Sequence, residues 1–318
     1  LKIYQKILYE ILDNYNMSIK NFLFPYLYKM NIISGRILYG NSAGLNHNIS
    51  GSITKFKTKK IIPKKNAESK LAQIFKKQGY ATLDELFDPN LISKISKKFD
   101  QLIEDDKYSY SRSKVNGKIY SRGLYRGFEF IPESAELVND KVKDLIENYY
   151  QGHFKVNLFL FSRNYHVPNE ILDKHEVYAN RWHCDESNST FVKMFVYLSD
   201  VTEKHGPFHV QSKSRTTQLM KMGFGNRSNY NVEIEELENK KYMTKPTGKS
   251  GTTFICNCQL GLHRAGIPDN GLYRDAICIS FSPSDKPLPK NWIEFFEDPL
   301  EPISKNKYFN TSLRHRNV

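Results

Sequence analysis

The sequence predicts an α+β chain, mainly β, in which helices come first and a β-sandwich or jelly roll follows. Three observations predict it. Apolar residues recur at helical spacing in three stretches before residue 151. From Phe154 onward the pattern changes to short β-rich runs separated by Gly, Pro, Asn and Asp. The 20 Tyr and 20 Phe supply side chains that favour strands. Helices followed by strands suggest separate helical and sheet layers around one core.

Residues 1–39 mix aromatic and aliphatic residues with Lys2, Lys6, Lys20, Lys29 and Arg36. This is the pattern of an amphipathic helix, and such a helix most often buries its apolar face on its own domain. Peripheral contact with a membrane surface is the alternative. Leu1 in first position suggests a truncated chain or an alternative start codon, with Met17 a candidate start. Residues 40–66 are rich in Gly, Asn, Ser and Lys and read as a linker or exposed loop. The basic run Lys55–Lys60 reads as a solvated part of it. Residues 1–66 thus form a basic extension and linker, and 67–318 the main domain.

In that domain, residues 67–78 read as a helix ended by Gly79-Tyr80. Leu91–Ile103 carries apolar residues at helical spacing, with Asp88-Pro89 as its start signal. Residues 134–150 read as a third helix. The β-rich runs are Val156–Phe161, Phe191–Leu198, Thr252–Cys258 and Ala276–Phe281. There is no internal repeat.

The net charge of +13 raises the question of nucleic-acid binding. Of the 47 Lys/Arg and 34 Asp/Glu, residues 1–77 hold 14 and 3, a balance of +11. The remainder balances to +2, so the excess belongs to the extension, and no recognition motif accompanies it. No nucleic-acid partner is expected. No run of about 18 apolar residues predicts a membrane span, and residues 1–40 lack the compact apolar core of a signal peptide. The four cysteines, Cys184, Cys256, Cys258 and Cys278, suggest no disulfide framework. Residues 256 and 258 are too close for ordinary strand geometry to bridge, and without a second pair they fall short of a zinc site. Buried structural thiols in a reduced, cytoplasmic setting are the simplest reading.

The chemistry centres on Trp182-His183-Cys184-Asp185. In extended backbone the two ligand types of His-x-Asp project to one side. With one distant His they can occupy one face of an octahedral iron and leave three positions open, the facial triad of iron(II) oxygenases. The third ligand is expected on a later strand or its edge. His263, in Gly261-Leu-His-Arg-Ala-Gly266, follows the run Thr252–Cys258. Eleven residues on, Arg274 opens the run Arg274–Ser280. An Arg there can pair bidentately with a carboxylate, and the distal carboxylate of 2-oxoglutarate is a fitting partner. The other histidines read as surface or satisfied core residues.

Together these residues resemble the phytanoyl-CoA dioxygenase-like oxygenases. The resemblance runs from about Gly79 to Ser282. Gly79–Phe87 looks like the opening segment of that family. Lys193–Phe208 looks like the strand, acidic turn and Gly-Pro that follow His-x-Asp, and Leu262-His263-Arg264 with Arg274 matches the third ligand and the 2-oxoglutarate arginine. The resemblance implies a double-stranded β-helix, a jelly roll with flanking helices and the metal between its sheets. It also implies Phe195 as an aromatic residue packed near 2-oxoglutarate. It departs after Gly206-Pro207, where Ser212-Lys-Ser-Arg215 stands for the usual Pro-Gly-Ser-His. Related halogenases lack the carboxylate ligand, so Asp185 favours hydroxylation. Nucleic-acid dealkylases carry a second arginine six residues after the first, and Ser280 stands there.

The expectation is an Fe(II)- and 2-oxoglutarate-dependent dioxygenase that uses dioxygen to hydroxylate a small molecule. His183, Asp185 and His263 are its metal ligands, and Arg274 and Phe195 contact the cosubstrate. The alternative is a non-catalytic jelly-roll protein that binds a metal or small molecule.

Overall fold

The computed structural model describes residues 26–296 apart from 28–29, 32, 41–43, 59–69, 84, 186–189, 225–226 and 228–233. Most of the expected amphipathic segment 1–39 lies outside the described residues, although residues 33–39 are helical. The linker expected over 40–66 is corrected in part. Residues Gly44–Thr58 form helix α1. Asn and Ser/Thr usually compete with helical backbone, but here Asn48, Ser52, Thr54 and Thr58 each bond a carbonyl four residues back.

Helix α2 (Lys70–Gln78) buries Ala72 and Phe75. Helix α3 (Pro89–Ile103) starts at the expected signal: Asp88 caps it by accepting from Asn90 N, and Pro89 takes the first turn, where no N–H is needed. Its buried stripe is Ile92, Ile95, Phe99 and Ile103. The helix expected over 134–150 is split into a 3-10 turn at Pro132–Leu137 and helix α4 (Asp140–Tyr150), because Asn139 caps a new start by accepting from Val142 N. Helix α5 (Lys213–Lys221) comes late in the chain.

The expected order of helices before strands is also corrected, because three strands lie among the early helices. Strand β1 (Tyr80–Leu83) follows α2, and β2 (Tyr110–Val115) and β3 (Lys118–Tyr125) form a hairpin. Asn116 and Gly117 form its two-residue turn, both at positive φ (49° and 81°). That is the conformation a tight type I′ hairpin demands. The later strands are β4 (His153–Tyr165), β5 (Val192–Tyr197), β6 (Phe208–Gln211), β7 (Met243–Thr244), β8 (Thr253–Cys256), β9 (His263–Ala265) and β10 (Tyr273–Ser284).

These strands make two antiparallel sheets. The large one has the order β1-β8-β5-β10-β4-β3-β2, the small one β7-β6-β9. Period-two alternation gives the large sheet two distinct faces. Met194, Val196, Ile255, Ile277, Ile279 and Phe281 point to the helices and join the main core with Phe75, Ile95 and Phe99. Phe195, Tyr197, Phe254, Cys256 and Ala276 point the other way and pack with Phe208 and Val210 of the small sheet. The space between the sheets holds the candidate site. Among the described residues no helix is long and apolar enough to cross a membrane.

Candidate metal centre between the sheets

His183 and His263 are 80 positions apart in the sequence yet directly opposite in space. They form an antiparallel bridge, with His183 N donating to His263 O at 3.0 Å and His263 N to His183 O at 2.9 Å. A pair that exchanges both backbone bonds projects its side chains to one face. The ring centroids lie 4.3 Å apart. Asp185 N donates to Cys258 O at 2.9 Å, which keeps this segment extended. Two residues on from His183, Asp185 therefore returns to the same side, and Cys184 between them packs into a separate apolar cluster with Trp182 and Leu219. The ligand atoms of His183, Asp185 and His263 all lie within 4.8 Å of one another. Asp185 Oδ1 is 3.6 Å from His183 Nε2 and 3.7 Å from His263 Nε2.

The tautomers follow from the backbone. His183 Nδ1 lies 2.7 Å from Arg181 O, and His263 Nδ1 lies 3.0 Å from Gly261 O. A carbonyl only accepts, so each Nδ1 carries the proton and each Nε2 offers its lone pair toward Asp185. Burial holds the His183 imidazole below its ordinary pKa, in the neutral form that binds a metal. Burial alone would raise Asp185, but the Lys193 ammonium outweighs it and holds the carboxyl well below the usual range.

Lys193 is the residue that sequence reasoning missed. Its Nζ is 2.5 Å from Asp185 Oδ2, leaving Oδ1 to face the imidazoles. Burial opposes its charge, yet Asp185 raises its pKa overall. The signal was one lysine in an apolar strand, in phase with Phe195 and Tyr197 on the inner face. In Lys193→Met, Asp185 keeps its charge without its cation. The metal-free protein should lose about 3–5 kcal/mol, the usual cost of breaking a buried pair. Added Fe(II) should recover more stability than in the parent, because it replaces the missing charge. Thermal unfolding with and without metal checks both.

Aromatic rings back the histidines. Phe208 stacks on His263 at 5.4 Å, Phe195 lies 5.0 Å from Phe208, and Phe195 stacks on Phe254 at 4.9 Å. Phe195 thus reaches the triad through Phe208. Arg274 is the second residue of β10 and 5% exposed. Its register partners are Asn164 on β4 and, beyond it, Ser121 on β3, so it shares the inner face with them. Nη1 donates to Gly266 O at 3.2 Å. Gly266 sits against the turn Gly206-Pro207, where an added Cβ would meet Pro207 O at 2.4 Å, so only glycine allows this approach. Burial lowers the Arg274 pKa from its usual value.

The segment Ser212–Arg215 faces elsewhere. Ser212 caps α5, and Arg215 pairs with Glu236 and lies over Tyr242. All four cysteines are buried and none forms a disulfide, with Cys256 and Cys258 Sγ atoms 2.8 Å apart. Burial pushes Cys258 well above its normal pKa and Cys278 to about 12, so neither is a thiolate at neutral pH. Among the described residues buried His209 has no partner for Nδ1, and burial with nearby Arg264 lowers its pKa to about 2. Unfolding restores a value of about 6.5, so below that pH the unfolded chain takes up a proton that the folded one refuses. Metal-free protein should therefore lose stability as pH falls below about 6.5, with His209 contributing about 2 kcal/mol by pH 5. Urea unfolding of the parent and His209→Gln at pH 7 and 5 measures that share.

No protein-family model matches the chain, and no curated protein matches its sequence. Solved structures do match its fold. The non-heme alpha-ketoglutarate-dependent epimerase SnoN of nogalamycin biosynthesis aligns at 11% identity and a TM-score of 0.51, over 67% of this chain and 81% of that one. EctD from S. alaskensis, crystallised with 2-oxoglutarate and 5-hydroxyectoine, aligns at 17% identity and 0.51, over 71% and 83%. The carbocyclase SnoK, also alpha-ketoglutarate dependent, aligns at 11% and 0.50, over 74% and 94%. SnoN has been crystallised with Fe3+ and alpha ketoglutarate, and EctD with bound Fe. The chain therefore shares the fold of iron- and 2-oxoglutarate-dependent enzymes, and it carries a His-Asp-His group able to hold a metal ion in the space between its sheets.

Proposed function

We propose that this chain is an Fe(II)- and 2-oxoglutarate-dependent dioxygenase that hydroxylates a small molecule, and that its paired sheets are a double-stranded β-helix of the phytanoyl-CoA dioxygenase-like kind. The observation that carries the reading is the convergence of two Nε2 lone pairs and one carboxylate oxygen at 3.6–3.7 Å, with both Nδ1 protons tied to carbonyls. Such a donor set suits iron(II) and leaves half its coordination sphere open. In this reading His183, Asp185 and His263 hold the metal. Arg274 pairs with the distal carboxylate of 2-oxoglutarate, and Phe195 packs beside it. Iron and 2-oxoglutarate would supply the oxidant from dioxygen, releasing succinate and carbon dioxide. The protein orients the ligands, anchors the cosubstrate and excludes water. Four buried cysteines without a disulfide fit a reduced, cytoplasmic setting.

The test is a metabolite panel read by succinate release from Fe(II)-loaded protein. Turnover stimulated by one compound class, with a product heavier by one oxygen, is the expected result. Tight metal and 2-oxoglutarate binding with no succinate above background across the panel would favour a non-catalytic binding protein.

A further inference from the structure

The first helices of the described chain are built inside out. Helical residues 30–31 and 33–39 precede a bend at Gly40 and then helix α1. Two asparagines join the arms of this hairpin: Asn31 Nδ2 donates to Asn46 Oδ1, and Asn46 N donates to Asn31 Oδ1, both at 2.9 Å. One turn after Asn31, Gly35 meets Gly44, where an added Cβ would come within 2.7 Å of the Gly44 backbone. Only glycine lets the arms approach this closely. Helix α1 likewise buries Gly44, Asn48 and Gly51, at helical spacing. The inward faces thus carry glycine and asparagine. The apolar side chains lie on the other side. Met30, Ile33 and Ile37 follow one another at spacings of three and four, which makes one stripe of a helix surface, and all three are exposed, Ile37 by 74%. On α1, Ile53 and Phe56 are exposed, Phe56 by 84%. An amphipathic helix of a globular domain normally turns such a stripe to the core.

The hairpin is nevertheless seated on the domain. Gly40 lies against α5, where an added Cβ would meet the Thr217 side chain at 2.8 Å, and α1 packs beside β10. Exposed apolar surface held in place this way marks an interaction site, and charge says what covers it. Residues 14–67 hold nine Lys/Arg and no Asp/Glu. Lys55 and Lys57 flank Phe56 in the last turn of α1, and both are exposed. A second copy would press this positive surface against itself. Residues 1–25 set Lys2, Lys6 and Lys20 against Glu10 and Asp13, so they bring no net negative charge to it. A nucleic acid would match the charge, but its phosphates give aliphatic side chains nothing to bury against. An anionic bilayer supplies both partners: lipid charges for the lysines and acyl chains for the stripe.

We infer that this hairpin docks the protein on an anionic membrane surface, with Ile37 and Phe56 entering the headgroup boundary and Lys55 and Lys57 against the lipid charges. The docking is peripheral, since no described helix is long and apolar enough to cross a bilayer. It does not depend on the chemistry at the metal centre.

The test is flotation of the full chain with vesicles of phosphatidylcholine mixed with phosphatidylserine, beside vesicles of phosphatidylcholine alone. The protein should float with the mixed vesicles and far less with the neutral ones, and salt at about 0.5 M should release part of it. Lys55→Gln with Lys57→Gln should weaken binding to mixed vesicles about tenfold, and Ile37→Glu with Phe56→Glu should abolish it. All four positions are exposed, so thermal unfolding of both double variants should match the parent. The native cysteines are buried, so a polarity-sensitive dye on Phe56→Cys reports on that position alone, and its emission should shift to the blue on mixed vesicles only. No flotation of the parent, equal flotation on neutral vesicles, or flotation unchanged in both double variants would overturn the inference. So would a dimer that Ile37→Glu with Phe56→Glu breaks, read by light scattering, or a dye already in apolar surroundings without vesicles. Those results would mean that a second copy or residues 1–25 cover the face. Binding to a DNA duplex but to neither vesicle would assign the charge to nucleic acid instead.

Discussion

Asp185→Ala should abolish stoichiometric iron binding, and in the metal-free protein it should lower stability by about 3–5 kcal/mol. Two separate effects produce this. The substitution removes the one oxygen that faces both Nε2 atoms. Losing a partner outside the ligand shell typically costs 10–100-fold in metal affinity, and losing a ligand should cost more. It also strands the Lys193 ammonium in a buried site, where it repels the incoming cation. Asp185→Ala with Lys193→Met removes the stranded charge. The double variant should recover most of the stability and still bind no iron. Iron content measured beside urea unfolding separates the two effects. Because the folded Asp185 pKa is depressed, its stabilising contribution is complete above about pH 4, the unfolded value, and is lost as pH falls through the folded value. Full iron content in Asp185→Ala would remove the carboxylate from the metal.

Arg274→Ala should keep iron yet weaken 2-oxoglutarate binding on the order of a hundredfold. A five-carbon dicarboxylate held by iron at one end needs a cation at the other. A guanidinium can give two charge-assisted hydrogen bonds, worth roughly 1.5–3 kcal/mol each, and about 1.4 kcal/mol is a factor of ten. Arg274 is buried and donates to Gly266 O. Were that bond its whole purpose, the substitution would cost about 1 kcal/mol of folding stability and leave 2-oxoglutarate affinity untouched. Titration of 2-oxoglutarate into metal-loaded protein distinguishes the two. Arg274→Lys should fall between, since an ammonium keeps the charge and loses the fork. Parent-like affinity in Arg274→Ala would end the cosubstrate assignment.

What could be read from the sequence depended on whether the signal was local. His183 and Asp185 sit two apart on extended backbone, so their shared side needs no tertiary knowledge. His263 and Arg274 each adjoin a run whose strand character is plain. Asp88-Pro89 marks a helix start by local chemistry alone, and the structure places the cap there. Other features were legible but weak. Asn116-Gly117 is a strong hairpin signal, yet its flanks carry Arg, Lys and Ser, which mask the alternation. Strand β1 is four residues long and owes its existence to pairing with β8, far along the chain. Lys193 could not be found locally, because it meets Asp185 only once β5 packs beside the segment that carries His183 and Asp185. In α1 the composition pointed to a loop, while the side chains satisfied their needs inside a helix.

The His183–His263 bridge also bears on how the protein breathes. Two backbone bonds hold together segments whose bridging residues are 80 positions apart in the chain. A metal gripping both imidazoles would add a third tie across that loop, binding the closed arrangement and not the open one. Mass action then links metal occupancy to local opening: each tenfold rise in free metal above its dissociation constant would make parting of these two segments about tenfold rarer. The bridge would act as a clasp whose tightness the cell sets through its iron supply, so iron scarcity would show first as fraying at this seam rather than as global unfolding.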